Sequence, residues 1–271
     1  MTQLDDVGTE PGAPEEPQRE KPQRYFIGDI PFGFEVEEGG LVMVGDATLS
    51  DALRSFDSGP PRPSVLATIA DCMAGIPACW VTVPNLAVTL DIVVRITAER
   101  CGDELALTGK IVKRGQSTVA GEILFADART NELVAISYLT FMPSPRPQDQ
   151  APPLSNARRT NGSMPVPIPE HVGVRILSPG EAEVDLVRFT TQGSGTLQGG
   201  IVALVAEVAA QSLTGTAVLD LDVRYLNAVR VGPGRAVAVP LGADLVRIEV
   251  RDGGSDDRLA ALVMARMAPQ R

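Results

Sequence analysis

The sequence predicts an α+β protein made of two tandem copies of one unit, in which an antiparallel sheet wraps around a single central helix. One observation is an apolar helix of small residues with a single acid, found at 64–75 (SVLATIADCMAG) and again at 200–211 (GIVALVAEVAAQ). Another is the strand that follows each helix, TLDIVVRIT at 89–97 and VLDLDVRYL at 218–226. The helices lie 136 residues apart and the strands 129, a spacing that indicates duplicated domains rather than short solenoid repeats.

The length and charge of the chain limit the function classes open to it. At 271 residues it can form two domains, each large enough to bury a core. The net charge of −10 argues against nucleic-acid binding, which needs a basic face. Half of that charge lies in residues 1–20, so the folded part is only mildly acidic. No apolar run approaches the length of a membrane span, and the acidic N-terminus lacks the apolar core of a secretory signal, so we expect a cytoplasmic protein.

The first half reads as a hairpin, one helix and four strands. Residues 1–23, rich in Pro, Gly, Glu and Gln, are predicted to be a disordered acidic tail. In the N-terminal domain (24–143), a hairpin that turns at Gly39 and Gly40 precedes the helix at about 64–79. Turn residues then separate four predicted strands, at 86–98, 104–114, 117–126 and 132–141.

The second half repeats this order after a linker. Residues 144–169 contain seven prolines and are predicted to connect the two domains. The C-terminal domain (170–271) begins with two strands, then has the second helix and four more strands. The predicted strands are at 172–177, 181–189, 216–229, 234–240, 243–252 and 258–267.

A Gly-rich loop, QGSGTLQGG at 192–200, leads directly into the second helix. Its glycines let the backbone take tight conformations and bring N–H groups close to a ligand. The plainer alternative for Gly199 and Gly200 is that they only permit close packing of the helix.

The two helix acids, Asp71 and Glu207, are the leading candidates for chemistry. An ionised carboxylate in such an apolar helix costs several kcal/mol without a partner or water, so each should face a cavity or a partner. Both acids could instead be core residues that hydrogen-bond to the backbone or to each other. Thr89 and Gln192 also have plain alternatives, as a strand former and a solvated loop residue.

The second helix and its loop resemble the acyl-CoA thioesterases of the phenylacetate-pathway and 4-hydroxybenzoyl-CoA type. That family carries Asn or Gln, two residues, Gly, two residues, His-Gly-Gly, and then an acid seven residues after the last Gly. The positions that match are Gln192, Gly195, Gly199, Gly200 and Glu207, with Gln198 in place of the His. The first copy fits at Asp71 and in the following strand, but it has Arg-Pro-Ser at 62–64 where His-Gly-Gly is expected.

The resemblance implies a double hotdog fold with active sites across the interface of its two halves. One site would combine Gln192 and the Gly199 N–H group of the second half with Asp71 of the first. Thr89 would help to hold the attacking water. In this site Asp71 would act as a general base or attack the thioester directly. The N-terminal N–H groups of the helix would stabilise the oxyanion.

The other implied site would join Glu207 to the loop at 62–64. Pro63 has no N–H group there, and Val218 stands where a hydroxyl is expected, so this site should be degenerate.

The implied reaction is hydrolysis of an acyl-CoA to free acid and coenzyme A, with no metal and no cofactor beyond the coenzyme A of the substrate. Lys113, Arg114 and Arg224 are candidate contacts to the coenzyme A phosphates, although exposed charges at strand ends usually contact only solvent. The resemblance also implies a homodimer of double hotdog chains.

The sequence leaves two other functions open. A non-catalytic acyl-CoA-binding or assembly protein would explain the altered first-copy loop and the missing His, and a dehydratase relative is a third candidate. The single histidine, His171, has no acid or nucleophile at a telling spacing, which weakens the dehydratase reading. Three cysteines without a C-x-x-C pair read as reduced packing residues.

Overall fold

A computed structural model describes residues 25–37, 39–55, 59–147 and 157–269. Their strands form one continuous antiparallel sheet in the order β7-β1-β2-β4-β5-β6-β3-β10-β13-β12-β11-β9-β8. The first-half strands are β1 (Phe32–Val36), β2 (Val42–Thr48), β3 (Asn85–Ile96), β4 (Glu104–Arg114), β5 (Val119–Asp127), β6 (Leu133–Pro147) and β7 (Ala157–Arg159). The second-half strands are β8 (Arg175–Ser178), β9 (Glu181–Val184), β10 (Val218–Tyr225), β11 (Gly234–Pro240), β12 (Leu245–Asp252) and β13 (Arg258–Met267). The helices are α1 (Pro63–Thr82), α2 (Ile168–Val172) and α3 (Gly199–Thr214).

The two halves join in the middle of the sheet, where β3 pairs with β10; we call this pairing the seam. Arg95 lies opposite Asp220 and Asp91 lies opposite Arg224, and the duplication makes these two pairs equivalent. The seam therefore lies on an approximate twofold axis that relates the halves. On its outer face the Arg95 guanidinium binds both carboxylate oxygens of Asp222.

The long helices α1 and α3 pack against each other and run in opposite directions, since Ser64 meets Glu207 while Thr68 meets Gly200. Each helix also packs on strands of its own half, α1 mainly on β3 and β6, and α3 mainly on β11 and β9. A Cβ atom on Gly200 would lie 1.8 Å from Thr68 Oγ1. Glycine at this position is what allows the helices to cross so closely.

Helix α3 has well-defined ends. Its first turn is capped by Gln198, whose Oε1 accepts the Ile201 N–H group. It stops at Gly215, which has φ +72° and donates its N–H group to Gln211 O, the left-handed cap that glycine favours. All residues from 200 to 210 are buried. The helix therefore forms the core of the second half, as its uniformly apolar sequence predicts.

The predicted order of elements and the α+β class are confirmed. The hairpin, both helices and the strands of both halves occur where the sequence places them, and β4, β11 and β13 have the predicted bounds. The division of the chain at residues 143 and 169 stays a prediction. The predicted disordered tail lies outside the described residues.

The middle of the chain differs from the predicted strand bounds. The strand predicted at 132–141 continues to Pro147 as β6, and β7, which lies within the predicted linker, pairs with β1 at the edge of the sheet. The strand predicted at 172–177 begins only at Arg175 as β8, because Val172 is the last residue of the short helix α2, which has Pro169 in its first turn. Proline suits a first helical turn because the N–H group it lacks has no partner there.

The expectation that no apolar run reaches the length of a membrane span also needs correction. Pro63–Thr82 is long and apolar enough by length and composition, with a mean hydropathy of 1.5. In this fold, however, 67% of that window is buried, which is the environment of a core helix.

Candidate functional site

Asp71 lies in the middle of α1 and remains partly exposed, while its neighbours at 64–70 are buried. The Thr89 hydroxyl donates a 2.7 Å hydrogen bond to Asp71 Oδ1. Burial raises the pKa of Asp71 from 3.8 to about 6, and the hydrogen bond from Thr89 opposes part of that rise. Such a carboxylate is ionised at neutral pH and is still basic enough to take a proton from water.

Thr89 reaches Asp71 because β3 contains a β-bulge. Ile92 is buried and faces the helices, so strict alternation along β3 would turn Thr89 to the outer face. The register with β6 shifts between Thr89 and Asp91, and Thr89 pairs with the buried Phe141. The extra residue in the bulge turns the Thr89 hydroxyl inward toward α1.

The same irregularity occurs in the second half. The register of β10 with β13 shifts between Val218 and Asp220, at positions equivalent to those of the first bulge. Val218 is fully buried there. The duplication has therefore kept the bulge in both halves, but a hydroxyl occupies it only in the first.

The first turn of α3 offers two adjacent N–H groups. Gln198 donates its N–H group to Thr190 O, and Ile201 donates to the Gln198 cap. Among the hydrogen bonds of the described residues, none uses the N–H groups of Gly199 or Gly200. Free donors at the positive end of a helix are suited to stabilising an oxygen that gains negative charge.

Tyr225, at the end of β10, connects this turn to Asp71. Its hydroxyl donates a 2.9 Å hydrogen bond to Gly199 O. Burial, and in second place the charge of Asp71, raises the pKa of Tyr225 well above its usual range. Tyr225 is not among the site residues predicted from the sequence. The sequence does contain a signal for it. Tyr225 is an aromatic polar residue at the end of a duplicated strand, and the equivalent residue of the other copy, Ile96, is aliphatic.

Glu207, the counterpart of Asp71, has no exposure to solvent and is fully paired. Arg62 Nη1 donates to Glu207 Oε1 at 2.9 Å, and the Ser64 N–H group donates to Oε2 at 3.0 Å. Arg62 Nη1 also donates to Gln211 Oε1 at 2.7 Å. The catalytic role predicted for Glu207 stays a prediction; the structure places its carboxylate in the core, bound to Arg62 and to the first turn of α1.

The two halves thus differ at equivalent positions. Ser64 corresponds to Gly200, and the N–H group of Ser64 is already bonded to Glu207. In the other half, Asp71 accepts its described hydrogen bond from Thr89, so the N–H group of Gly200 is left for another partner. One carboxylate is sealed by an ion pair, and the other remains partly exposed.

Gln192 does not join this group. It is exposed, and its hydrogen bonds stay within its own turn: its N–H group donates to Thr196 O and its side-chain amide donates to Thr196 Oγ1. None of its described hydrogen bonds reaches Asp71 or Gly199, and its place in the predicted site stays a prediction. Gly199 and Gly200 are placed as predicted, at the start of the helix that contacts α1.

The predicted phosphate-binding residues divide between the two faces of the sheet. Arg114, Val119, Phe141 and Thr89 form one cross-strand row, so Arg114 shares the inner face with Thr89. Three strand spacings separate them, roughly 14 Å. Lys113 and Arg224 lie in the adjacent cross-strand row, which also contains Asp91. This row faces outward, away from the helices.

His171 has an acid partner that its sequence spacing did not reveal. Its Nε2 lies 2.8 Å from Oδ2 of Asp29, a buried residue 142 positions away in the sequence. The imidazole also packs edge-on against Phe189, at 5.6 Å between ring centroids. This contact links Asp29, which precedes β1 in the first half, to α2 in the second half.

No group of three or more His, Cys, Asp or Glu side chains that could hold a metal ion occurs in the described part of the chain.

A scan against protein-family models gives no match, and a search of curated proteins gives none either. Solved structures do match. An acyl-ACP thioesterase from Bacteroides thetaiotaomicron aligns with a TM-score of 0.59 and 9% identity, over 86% of this chain and 100% of that one. A 12:0-ACP thioesterase from Umbellularia californica aligns with a TM-score of 0.59 and 11% identity, over 84% and 98% of the two chains. At such low identity these similarities establish the fold, and the chain is a double hotdog protein, as the sequence predicted.

Proposed function

We propose that this protein hydrolyses acyl thioesters, with acyl-CoA as the substrate, at the site formed by Asp71, Thr89 and the first turn of α3. The observation that carries this proposal is the difference between the two halves. Glu207 is sealed by Arg62, whereas Asp71 has a hydroxyl partner, partial exposure and a pKa of about 6. The two structural neighbours, both named as thioesterases, support the reaction class.

In the proposed reaction the thioester carbonyl oxygen accepts hydrogen bonds from the N–H groups of Gly199 and Gly200. Asp71 takes a proton from water, and the hydroxide adds to the carbonyl carbon. The developing oxyanion is stabilised by the two N–H groups, each contributing about 3 kcal/mol when well placed. The tetrahedral intermediate then expels the thiolate, and the proton held by Asp71 passes to the sulfur. Thr89 holds Asp71 in one orientation throughout.

Direct attack by Asp71 on the thioester is the competing route, through a mixed anhydride. A single turnover in ¹⁸O-labelled water separates the two. With Asp71 as a base, the product acid contains ¹⁸O in the first turnover. With an anhydride opened at the Asp71 carbonyl carbon, the first product acid contains unlabelled oxygen from the enzyme.

The test of the function is free-thiol release from a panel of acyl-CoAs, aliphatic from short to long and aromatic, with acyl-ACP as a second carrier. We expect turnover by the wild type and a loss of at least about a hundredfold in Asp71→Asn, which keeps the shape of the side chain but removes the base. Faster turnover of acyl-ACP than of acyl-CoA would indicate that an acyl carrier protein, rather than coenzyme A, carries the preferred substrate. Binding of acyl-CoA without any thiol release would favour the non-catalytic acyl-CoA-binding protein.

A further inference from the structure

We propose that Tyr225 is a positioning residue that holds and polarises the Gly199–Gly200 peptide, the oxyanion-binding unit of the proposed function, on which this inference rests. The Tyr225 hydroxyl donates to Gly199 O at 2.9 Å. That carbonyl and the N–H group of Gly200 belong to the same peptide bond. A hydrogen bond accepted by the carbonyl of an amide strengthens its N–H group as a donor, because hydrogen bonds in a chain polarise one another.

The contact also fixes the orientation of this peptide. A peptide between two glycines has no side chain to restrict its backbone dihedral angles, so it can rotate more freely than other peptides. The Tyr225 ring packs over it, since a Cβ atom on Gly199 would lie 3.3 Å from Tyr225 Oη. An oxyanion donor contributes most when it is already aimed before the reaction. Tyr225 provides that aim from a strand, which is more rigid than the Gly-rich loop.

The hydroxyl of Tyr225 remains a donor under working conditions. Burial raises the pKa of the phenol well above its usual range, and the charge of Asp71 acts in the same direction. The hydrogen bond to Gly199 therefore persists across the pH range in which Asp71 ionises.

The first half lacks this arrangement. Ile96 occupies the position equivalent to Tyr225, and Pro63 and Ser64 stand where Gly199 and Gly200 would be. In that half the N–H group of Ser64 donates its hydrogen bond to Glu207. The phenol is thus present only in the half whose peptide N–H group is unused by the protein.

The first experiment compares the steady-state kinetics of Tyr225→Phe with those of wild type. Phenylalanine keeps the ring and removes only the hydroxyl, so we expect kcat to fall roughly tenfold while KM stays within about twofold, because the peptide acts on the transition state more than on the ground state. Tyr138→Phe, which removes an exposed hydroxyl, is the matched control and should behave as wild type. A Tyr225→Phe enzyme with wild-type kcat, or one altered only in KM, overturns the proposal.

The second experiment measures the effect on the carbonyl directly and does not depend on turnover. An acyl-CoA with a ¹³C-labelled thioester carbonyl is bound to Asp71→Asn and to the Asp71→Asn/Tyr225→Phe double variant, and its infrared band is recorded. We expect the band to lie at lower frequency when Tyr225 is present, because a stronger donor polarises the carbonyl more. Equal frequencies in both proteins overturn the proposal. If wild type hydrolyses no thioester, the proposed function fails, whereas wild-type turnover with an unaffected Tyr225→Phe removes only the role of Tyr225.

Discussion

Arg62 and Glu207 form a buried ion pair, 2.9 Å between Nη1 and Oε1, that connects the first turn of one core helix to the middle of the other. Asp71 occupies the equivalent position on the first helix and has no such cation among its described contacts. The duplicated unit therefore places its two carboxylates in different environments. Glu207 joins α3 to the start of α1, whereas Asp71 is partly exposed, accepts a hydrogen bond from Thr89 and has a pKa of about 6.

We expect Glu207→Gln to destabilise the fold by about 3 kcal/mol while keeping turnover within about threefold. The substitution leaves Arg62 buried without its counter-ion, and breaking one partner of a buried pair typically costs this much. Urea unfolding and thiol release measure the two effects. The Arg62→Leu/Glu207→Leu double variant should recover part of the stability, because it removes both charges. A folded Glu207→Gln protein without turnover would show that the second half contains the working base.

We expect turnover to rise with pH through an ionisation near pH 6, because Asp71 acts in its ionised form and has a pKa of about 6. Thr89→Val removes a hydrogen bond that favours the ionised carboxylate, so the pKa should increase and the acid limb should move to higher pH. The pH dependence of kcat/KM for the two proteins measures this shift. An acid limb that stays in place, or moves to lower pH, would contradict the assignment of that limb to Asp71.

We expect Asp71→Asn to be more stable than wild type at pH 7, by up to about 3 kcal/mol, because burial raises the folded-state pKa of Asp71 from 3.8 to about 6. Well below pH 3.8 the carboxyl is protonated in both folded and unfolded states, so it costs nothing. As the pH rises from there to about 6, the unfolded state ionises first and the folded state loses relative stability. Urea unfolding at pH 4 and pH 7 should therefore show a much larger stability gain at the higher pH. An equal gain at both values would rule out this ionisation as its cause.

We expect Gly200→Ala to destabilise the protein by about 2 kcal/mol, since the added Cβ atom would lie 1.8 Å from Thr68 Oγ1 and must push the helices apart. Thr68→Ala in the same chain should recover part of this loss, because it removes the nearest atom. Gly193→Ala is the matched control in the same loop: nothing lies within 4 Å of its Cβ position, and it should be close to neutral. Thermal unfolding of the four proteins is sufficient. If Gly200→Ala is as stable as wild type, the closest contact between α1 and α3 does not lie at Gly200 and Thr68.

We expect Arg114→Glu to raise KM for acyl-CoA several-fold, and Arg224→Glu to leave it within about twofold. Arg114 shares a cross-strand row and a sheet face with Thr89, whereas Arg224 belongs to the outward row. A short thioester without phosphates, such as an acyl-N-acetylcysteamine, should show no effect of either substitution. A larger effect of Arg224→Glu would mean that coenzyme A crosses the outer face of the sheet.

Much of this architecture could be predicted from the sequence because the duplication repeats its patterns. The apolar helices, the acids at one offset and the strands at another are local features. The resemblance to the thioesterase family is what puts Asp71 and Thr89 in one predicted site. What could not be predicted depends on contacts between distant residues. The partner of Glu207 is Arg62, 145 positions away, and nothing in the local pattern distinguishes a sealed acid from an accessible one.

The inward direction of Thr89 is a similar case. Alternation along β3 predicts that it faces outward, and only the bulge in the pairing with β6 reverses it. Tyr225 resembles an ordinary strand residue in the sequence because its partner, the Gly199 carbonyl, lies in the first turn of α3, 26 positions earlier. The pairing of His171 with Asp29 could not be predicted for the same reason, because the two residues lie 142 positions apart in the sequence.

The seam has a consequence for how the protein can be made and divided. β3 and β10 lie at the centre of the sheet only while both halves are present; each half expressed alone would expose one of them as a long, unpaired edge. Such an edge is a template for aggregation or for pairing with another chain. Two fragments divided between β7 and α2 should therefore be insoluble or self-associating alone and should assemble with each other when produced together.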